Sequence, residues 1–535
     1  MTEIISYKVK DIAGKLAIGF LKNPLTALLG AFLLFMGYLS LNIMPREEDP
    51  QIAISGGSVM IVMPGATAAE VEKVIVNPLE RKLREIKGIE HIYGMAMDNV
   101  GVVNVMYYIG QNREDSNLKL YDKVMQNMDE LPKGAMQPLI KPFDIDIDIP
   151  IVTAAFYAKD PKKVDQVTLY NKVRALQQQI NEVENVSKTS LKGEHRTQYN
   201  VQVDLNKLAG YNLSLGQIMQ GVKSVASNVP DVKSRTNDGH LVVFGIKNAI
   251  ESAEDVGNIA VADYGGSLIY LRDVATITEG GDIQNFKNAS IRYKDNVDDK
   301  LSNEYAQTTL SISKLAGTNA VNVANDVIDV LKKNEKYLSD AGIGYVITRN
   351  YGVRADNAVN ELMHNLIITI IIISVMLVFA LGWRESLIVT FTVPAILAIT
   401  LFVAYLGGQS INRITLFAFL LSLGLLVDAA IIVIENIHRH LHSHTSNHES
   451  MEELLVEATD EIGPPTNIAT LAIILTMVPM AFVGGMMGSF MKPIPLNVPV
   501  ALVASLFVAY IFTPYLALKL LKKPKHHNNH SGETK

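Results

Sequence analysis

Cysteine is absent from this 535-residue chain, which removes disulfides and thiolate metal sites from consideration. Charge is also scarce. Charged residues make up 19% of the chain and the formal net charge is −6, a balance too mild to point to nucleic acid as a partner. The polar part of the sequence carries no nucleophile motif, no metal-ligand spacing and no phosphate-cradling loop, so no cofactor is expected and an enzyme is a minor reading. What is present is apolar surface, at 48% of residues. With 19% charge, the chain is too greasy for an ordinary soluble enzyme and too charged to lie wholly in lipid.

The two characters are segregated. Residues 25–41 form a run without a charge, which with its flanks approaches the roughly 20 residues that cross a bilayer core. It lacks the short core and small-residue cleavage site of a signal peptide and is read as an uncleaved first span. Five more apolar runs follow at 366–382, 387–406, 414–437, 468–490 and 494–518, so six spans bracket one large polar region. The division expected is 1–45 for the N-terminus and first span, 46–360 for an outer domain, 361–520 for spans two to six and 521–535 for a polar tail.

Basic residues set the orientation, because short cytoplasmic loops collect Lys and Arg. Lys8, Lys10, Lys15, Lys22, Arg384, Arg439, Lys519, Lys522, Lys523 and Lys525 fall on one side, against Arg413 and Lys492 in the short loops of the other. Both termini are therefore expected inside and the large domain outside. Within that domain the order strand, helix, strand, strand, helix begins at "ISGGSVMIVMP" (54–64), with a helix over 68–86 and strands at 91–97 and 102–109. It starts again at "IVTAAFYA" (151–158), with a helix over 167–183 and a strand at 197–205. Such repeats predict ferredoxin-like, split βαβ subdomains rather than one Rossmann sheet. The fold class is thus an α+β membrane protein.

One residue is out of place in hydrocarbon. Asp428 lies in "GLLVDAAIIVIEN" (424–436), and an acid at a helix centre costs about 2.5–3.5 kcal/mol on insertion scales. With the span starting near Ile414, a rise of about 1.5 Å per residue places the carboxyl about 21 Å in, past the midplane toward the cytoplasm. An acid that is costly to keep ionised suits a proton relay, and the alternative is packing glue between helices. Gly424, one turn earlier on the same face, permits close approach of another helix, and Glu435, two turns later, is a second relay candidate near the inner interface.

Several stretches resemble the resistance-nodulation-division (RND) efflux permeases. "YLGGQSINRITLFAFLLSLGLLVDAAIIVIENIHRH" (405–440) is similar to that family's fourth span, "PREEDPQIAISGGSVMIVMPGATAAEVEKVIVNPLERKLREIKGIEHIYGM" (45–95) to the start of its periplasmic porter domain, and "KLAGTNAVNVANDVIDVL" (314–331) to the end of that domain. The resemblance implies a trimeric inner-membrane pump that is driven by proton entry and exports through a periplasmic adaptor and an outer-membrane channel. Asp428 would be its proton carrier. Drug-exporting members place a second aspartate next in line, where this chain has Ala429, and the D-A-A pattern is closer to the metal-exporting branch. Family members also carry a second six-span half that supplies a lysine opposite the acid. No Lys or Arg stands inside the late apolar runs. The expectation is the N-terminal half of a split permease, whose counter-charge comes from a separately encoded partner.

The remaining signals are weaker. The histidines in "HRHLHSHTSNH" (438–448) and "HHNNH" (526–530) read as solvated loop more readily than as a metal site. Met95, Met97, Met125 and Met128 read as core packing, and "DIDIDIP" (144–150) as an exposed strand face or a linker. Pro394, Pro479, Pro499 and Pro514 fall inside spans, where kinks are tolerated. The rival readings are an inactive truncation, a six-span subunit of a protein-export complex, and a non-transporting ligand sensor.

Overall fold

A computed structural model describes residues 7, 9–52, 54–144, 148–226, 232–235, 238, 240–244, 250–264, 266–282, 287–294, 299–442 and 450–521. Residues 145–147 of the acidic stretch, the histidines beyond His442 and the tail from 522 lie outside those residues.

Among the described residues, six helices are long and apolar enough to cross a membrane. The first is Leu25–Ile43, the second Tyr351–Ala380, the third Trp383–Leu406, the fourth Arg413–His442, the fifth Met451–Ala481 and the sixth Pro493–Leu520. The third, fourth and sixth form the buried centre, while the first, second and fifth leave most of their surface open. Between the first and second helices stands a mixed region of strands and short helices. A preceding helix, Ile12–Leu21, lies against the fifth and sixth.

Capping chemistry, more than hydropathy, fixes the helix ends. The fifth helix starts well before its apolar run, because Ser450 accepts a hydrogen bond from the Glu453 amide and the backbone carries straight on through Pro464 and Pro465. It stops at Ala481, short of the expected end, where Gly484 and Gly485, the latter at φ +73°, break the helix. A short helix, Gly485–Met491, then leads into the sixth. The second helix likewise begins fifteen residues before its apolar run, capped by Asn350 at the end of a strand. Pro394, Pro479, Pro499 and Pro514 do lie within helices.

The first outer sheet comprises β1 (Ser55–Val62), β2 (Ile89–Met97), β3 (Val100–Tyr107) and β4 (Leu139–Asp144), in the antiparallel order β2-β3-β1-β4. β1 leads through a left-handed turn at Gly65 into a helix that Thr67 and Glu70 cap reciprocally. That helix runs from Ala68–Val71 through a π-turn, Glu72–Val76, to Asn77–Leu83. Arg113–Gln126 is the second helix of this unit, capped by Asn112. Both cover one face of the sheet, where Val59, Ile61, Val103 and Val105 meet Val71, Ile75, Leu79 and Leu120. Strand alternation turns the other face outward. Met95 and Met97, expected in a core, are therefore half exposed beside Tyr93, and Met125 is exposed on its helix.

The second outer sheet holds β5 (Val152–Ala158), β6 (Val186–Lys192), β13 (Ser290–Ile291), β14 (Tyr305–Lys314) and β15 (Ile343–Asn350). Helices Gln166–Asn181 and Ala320–Lys333 pack on it through Leu169, Val173, Val323 and Val327. β6, "VSKTSLK", is the strand that follows the first of these helices, and its polar, half-exposed alternation hides it from a hydropathy reading. β7 (Thr197–Val203), expected in this unit, pairs instead with β12 (Ala275–Gly281). Two small hairpins, β8 (Val232–Arg235) with β9 (Leu241–Phe244) and β10 (Ala260–Tyr264) with β11 (Ser267–Tyr270), complete the strands among the described residues.

Candidate functional site

The fourth helix has two faces of opposite character. Phe419, Leu423, Leu426, Ala430, Val433 and Ile437 are buried in the bundle. Phe417, Leu421, Gly424, Asp428, Ile432 and Glu435 follow one another at three- and four-residue spacing down the exposed side, the stripe one face of an α-helix makes. Asp428 and Glu435 thus stand on the same stripe, two turns apart, and both look away from the rest of the chain.

Asp428 forms no ion pair and no side-chain hydrogen bond with any described residue. Gly424 is equally open: a methyl group there would meet nothing within 4 Å. The close helix approach that Gly424 permits is therefore not made by another helix of this chain. Ala429, by contrast, turns inward and is 5% exposed. A carboxylate at that position would point into the bundle, so this chain presents one acid, not two, at this level of its open face.

The C-terminal end of the same helix is arranged in the opposite way. Asn436 follows Glu435 in sequence but points inward, donating to the Ala458 carbonyl at 2.7 Å and to Glu461 Oε2 at 3.1 Å. Arg439 pairs with Glu461 at 2.9 Å, and His440 Nε2 stands 2.8 Å from the same carboxylate. His438 Nδ1 lies 3.2 Å from Glu385 Oε1 on the third helix and its ring stacks on that of His442. His438 and His440 are thus engaged with carboxylates of the third and fifth helices. Among the described residues no group of three or more His, Asp or Glu is placed to hold a metal.

Asp460, one residue before Glu461, is 2% exposed. Its carboxylate accepts from the Tyr7 hydroxyl at 3.0 Å, the Lys10 amide at 2.9 Å and the Asp11 amide at 2.8 Å, so it holds the start of the Ile12–Leu21 helix. Burial and the Asp460 carboxylate together push the Tyr7 hydroxyl up to about 12. Asp11 in turn accepts from Asn467, whose side-chain oxygen accepts from Tyr510 at 2.9 Å. Hydropathy reading passes over Asn436, Asp460 and Glu461 because they sit outside the apolar runs or look like ordinary interfacial polar residues. The available signal was the Asp-Glu pair followed by Gly463, Pro464 and Pro465 at the head of an apolar run.

Comparison with known proteins agrees with the helix pattern. The model of the AcrB/AcrD/AcrF family matches residues 17–534. An uncharacterized transporter of Haemophilus influenzae is 25% identical over 532 residues, 98% of this chain and 48% of that protein. The toluene efflux pump membrane transporter TtgB of Pseudomonas putida is 26% identical over 531 residues, and the solvent-resistant pump membrane transporter SrpB of the same species 24% over 522. Each covers 96% of this chain, which spans 48% of their length.

Proposed function

Because the chain belongs to the AcrB/AcrD/AcrF family of RND-type efflux transporters, and is on that ground a multi-pass inner-membrane protein, we propose that it is one six-span half of a proton-driven export pump. Asp428 is the proton carrier, Glu435 continues the path toward the cytoplasm, and Gly424 admits the helix that packs opposite. A second six-span half brings a lysine to face Asp428. The assembly is a trimer working with a periplasmic adaptor and an outer-membrane channel. Both termini lie in the cytoplasm, and residues 46–360 form a periplasmic porter domain of ferredoxin-like subdomains. The relatives named for solvent resistance and toluene efflux point to small apolar molecules as cargo.

The observation that carries this reading is the unpartnered Asp428 carboxyl in the apolar middle of an outward stripe. Facing lipid, an ionised Asp428 pays a desolvation cost with nothing to offset it. Facing a cation on another helix bundle, it becomes a two-state element. Protonation removes the ion pair, helix packing across the stripe changes, and the equilibrium between states shifts. The membrane potential supplies about 2.3 kcal/mol per proton charge per 100 mV, enough to shift such an equilibrium substantially.

The test is purification of the tagged chain from native membranes, with a unique cysteine placed at Leu421 for cross-linking. Recovery of a lysine-bearing six-span half cross-linked through that position is the expected result. Recovery of self-associated chains alone, still exporting in a proton-dependent way, would reject it. A ligand sensor has no need of a titrating acid, so Asp428→Asn would leave its signalling intact while abolishing export in a pump.

A further inference from the structure

The segment "PREED" at 45–49 joins the first helix to β1, yet its side chains and amides reach well beyond its neighbours in sequence. Glu47 and Lys314, at the end of β14, form an ion pair at 2.5 Å with both side chains more than nine-tenths buried. Gln51 donates to the same Glu47 oxygen at 2.6 Å. Glu48 pairs with Arg354 at the head of the second helix at 2.9 Å and stands 3.9 Å from Arg413 at the head of the fourth. Asp49 holds Arg413 at 2.5 Å, and Arg46 holds Asp356 at 3.0 Å.

Backbone bonds run in parallel with these pairs. The Glu47 amide donates to the Ile411 carbonyl at 3.0 Å, the Ile411 amide to the Pro45 carbonyl at 2.8 Å, and the Arg413 amide to the Glu48 carbonyl at 3.2 Å. On the other side, the Ala320 amide donates to the Arg46 carbonyl at 3.0 Å. Five consecutive residues therefore tie the head of the fourth helix, the head of the second helix and the outer sheet into one knot. Asp428 lies fifteen residues further along the fourth helix, about 22 Å away at the rise of an α-helix.

Stability alone is a poor reason for burying an ion pair, since desolvation offsets most of the attraction and apolar replacements of like volume often do as well. Fixing one arrangement of several elements is the better-supported use. The joint also has room to change. Glu47 Oε2 is buried without a hydrogen-bond partner, and beside it lies a cavity of about 320 Å³ whose lining includes Glu47, Lys314, Tyr351, Met486 and Phe490.

We propose that residues 45–49 are the joint that passes movement of the fourth helix to the outer domain, with the buried Glu47–Lys314 pair as its positioning element. This rests on the pump reading above. When the fourth helix shifts, Ile411 and Arg413 carry the segment with them, and Lys314 and Ala320 carry that displacement into β14 and the helix that follows it.

The test compares the parent chain with the double variant Glu47→Gln/Lys314→Met, which removes both charges together and leaves neither buried alone. Toluene tolerance of the cells measures export, difference infrared spectroscopy of the purified assembly measures the Asp428 carboxyl, and membrane content measures folding. The expected result is normal membrane content and an intact Asp428 signal with export reduced about tenfold, within the range of ordinary site-to-site coupling. Parental export, or loss of the Asp428 signal in step with export, overturns the proposal. Glu48→Gln, which leaves the buried pair alone, decides the matter if the double variant does not fold: reduced export with the Asp428 signal intact supports the joint, and parental export rejects it. Asp428→Asn run alongside separates the two readings, because export that survives it defeats the pump reading itself.

Discussion

Asp428 and Asp460 are both carboxylates on long apolar helices, and their surroundings are opposite. Asp460 is buried and accepts three hydrogen bonds from Tyr7, Lys10 and Asp11, whereas Asp428 lies on an open stripe and meets no donor among the described residues. A fully satisfied acid is a fastener, because moving it breaks several bonds at once. An unsatisfied one on an apolar face is incomplete without a partner. The same contrast separates two glycines. Gly37 lets the first helix press against the third, where a methyl group would overlap Ala398, while Gly424 faces nothing.

The largest effect that would sharpen this contrast is at Asp428. On the proposed reading, Asp428→Asn is expected to bring proton-dependent export to background while membrane content stays at the parental level, as read by tolerance assays and immunoblotting. The glycines come next. Gly37→Ala is expected to lower the stability of the chain by about 1–3 kcal/mol, as overpacking does, seen as a lower melting temperature in detergent. Gly424→Leu should leave that melting temperature unchanged and reduce co-purification of the proposed second half; equal melting shifts at both sites would break the comparison.

Asp460→Ala is expected to cost about 1–3 kcal/mol for a donor left unpaired and to loosen the Ile12–Leu21 helix, measured as faster proteolysis near the N-terminus, without altering the Asp428 infrared signal. The smallest effect concerns Tyr7, whose hydroxyl must keep its proton to donate to Asp460. Its folded value of about 12 lies above the ordinary tyrosine value of about 10. The bond's contribution is therefore present below about pH 10 and is lost as pH rises toward 12. Tyr7→Phe should remove that alkaline transition from the ultraviolet absorbance titration.

Much of the candidate site is legible in the sequence because hydrocarbon is an unforgiving solvent. The cost of a carboxylate in an apolar run marks Asp428 without any knowledge of its neighbours, and a seven-residue interval places Glu435 on its face. Asn436 was not legible in that way, since its role depends on Ala458 and Glu461 more than twenty residues away. β6 is hidden from a hydropathy reading because a half-exposed strand mixes lysines and serines with its apolar residues. The bounds of the fifth helix differ from its apolar run because they are set by Ser450 and Gly485, which outweigh hydropathy at a boundary.

The order of the six apolar helices, their polar insertion and the presence of Asp428 deep within one of them follow from sequence, because length and hydrophobicity are local properties that the bilayer reads directly. Which way the acid faces does not follow from them. Burying Phe419, Leu423 and Val433 against the other helices turned Asp428, Gly424 and Glu435 outward, and packing across the whole bundle is a long-range sum that no single stretch of sequence contains. The meeting of Glu47 with Lys314, 267 positions apart, is likewise a product of tertiary structure, since only the folded chain brings the head of the fourth helix, the end of β14 and the segment after the first helix to one point.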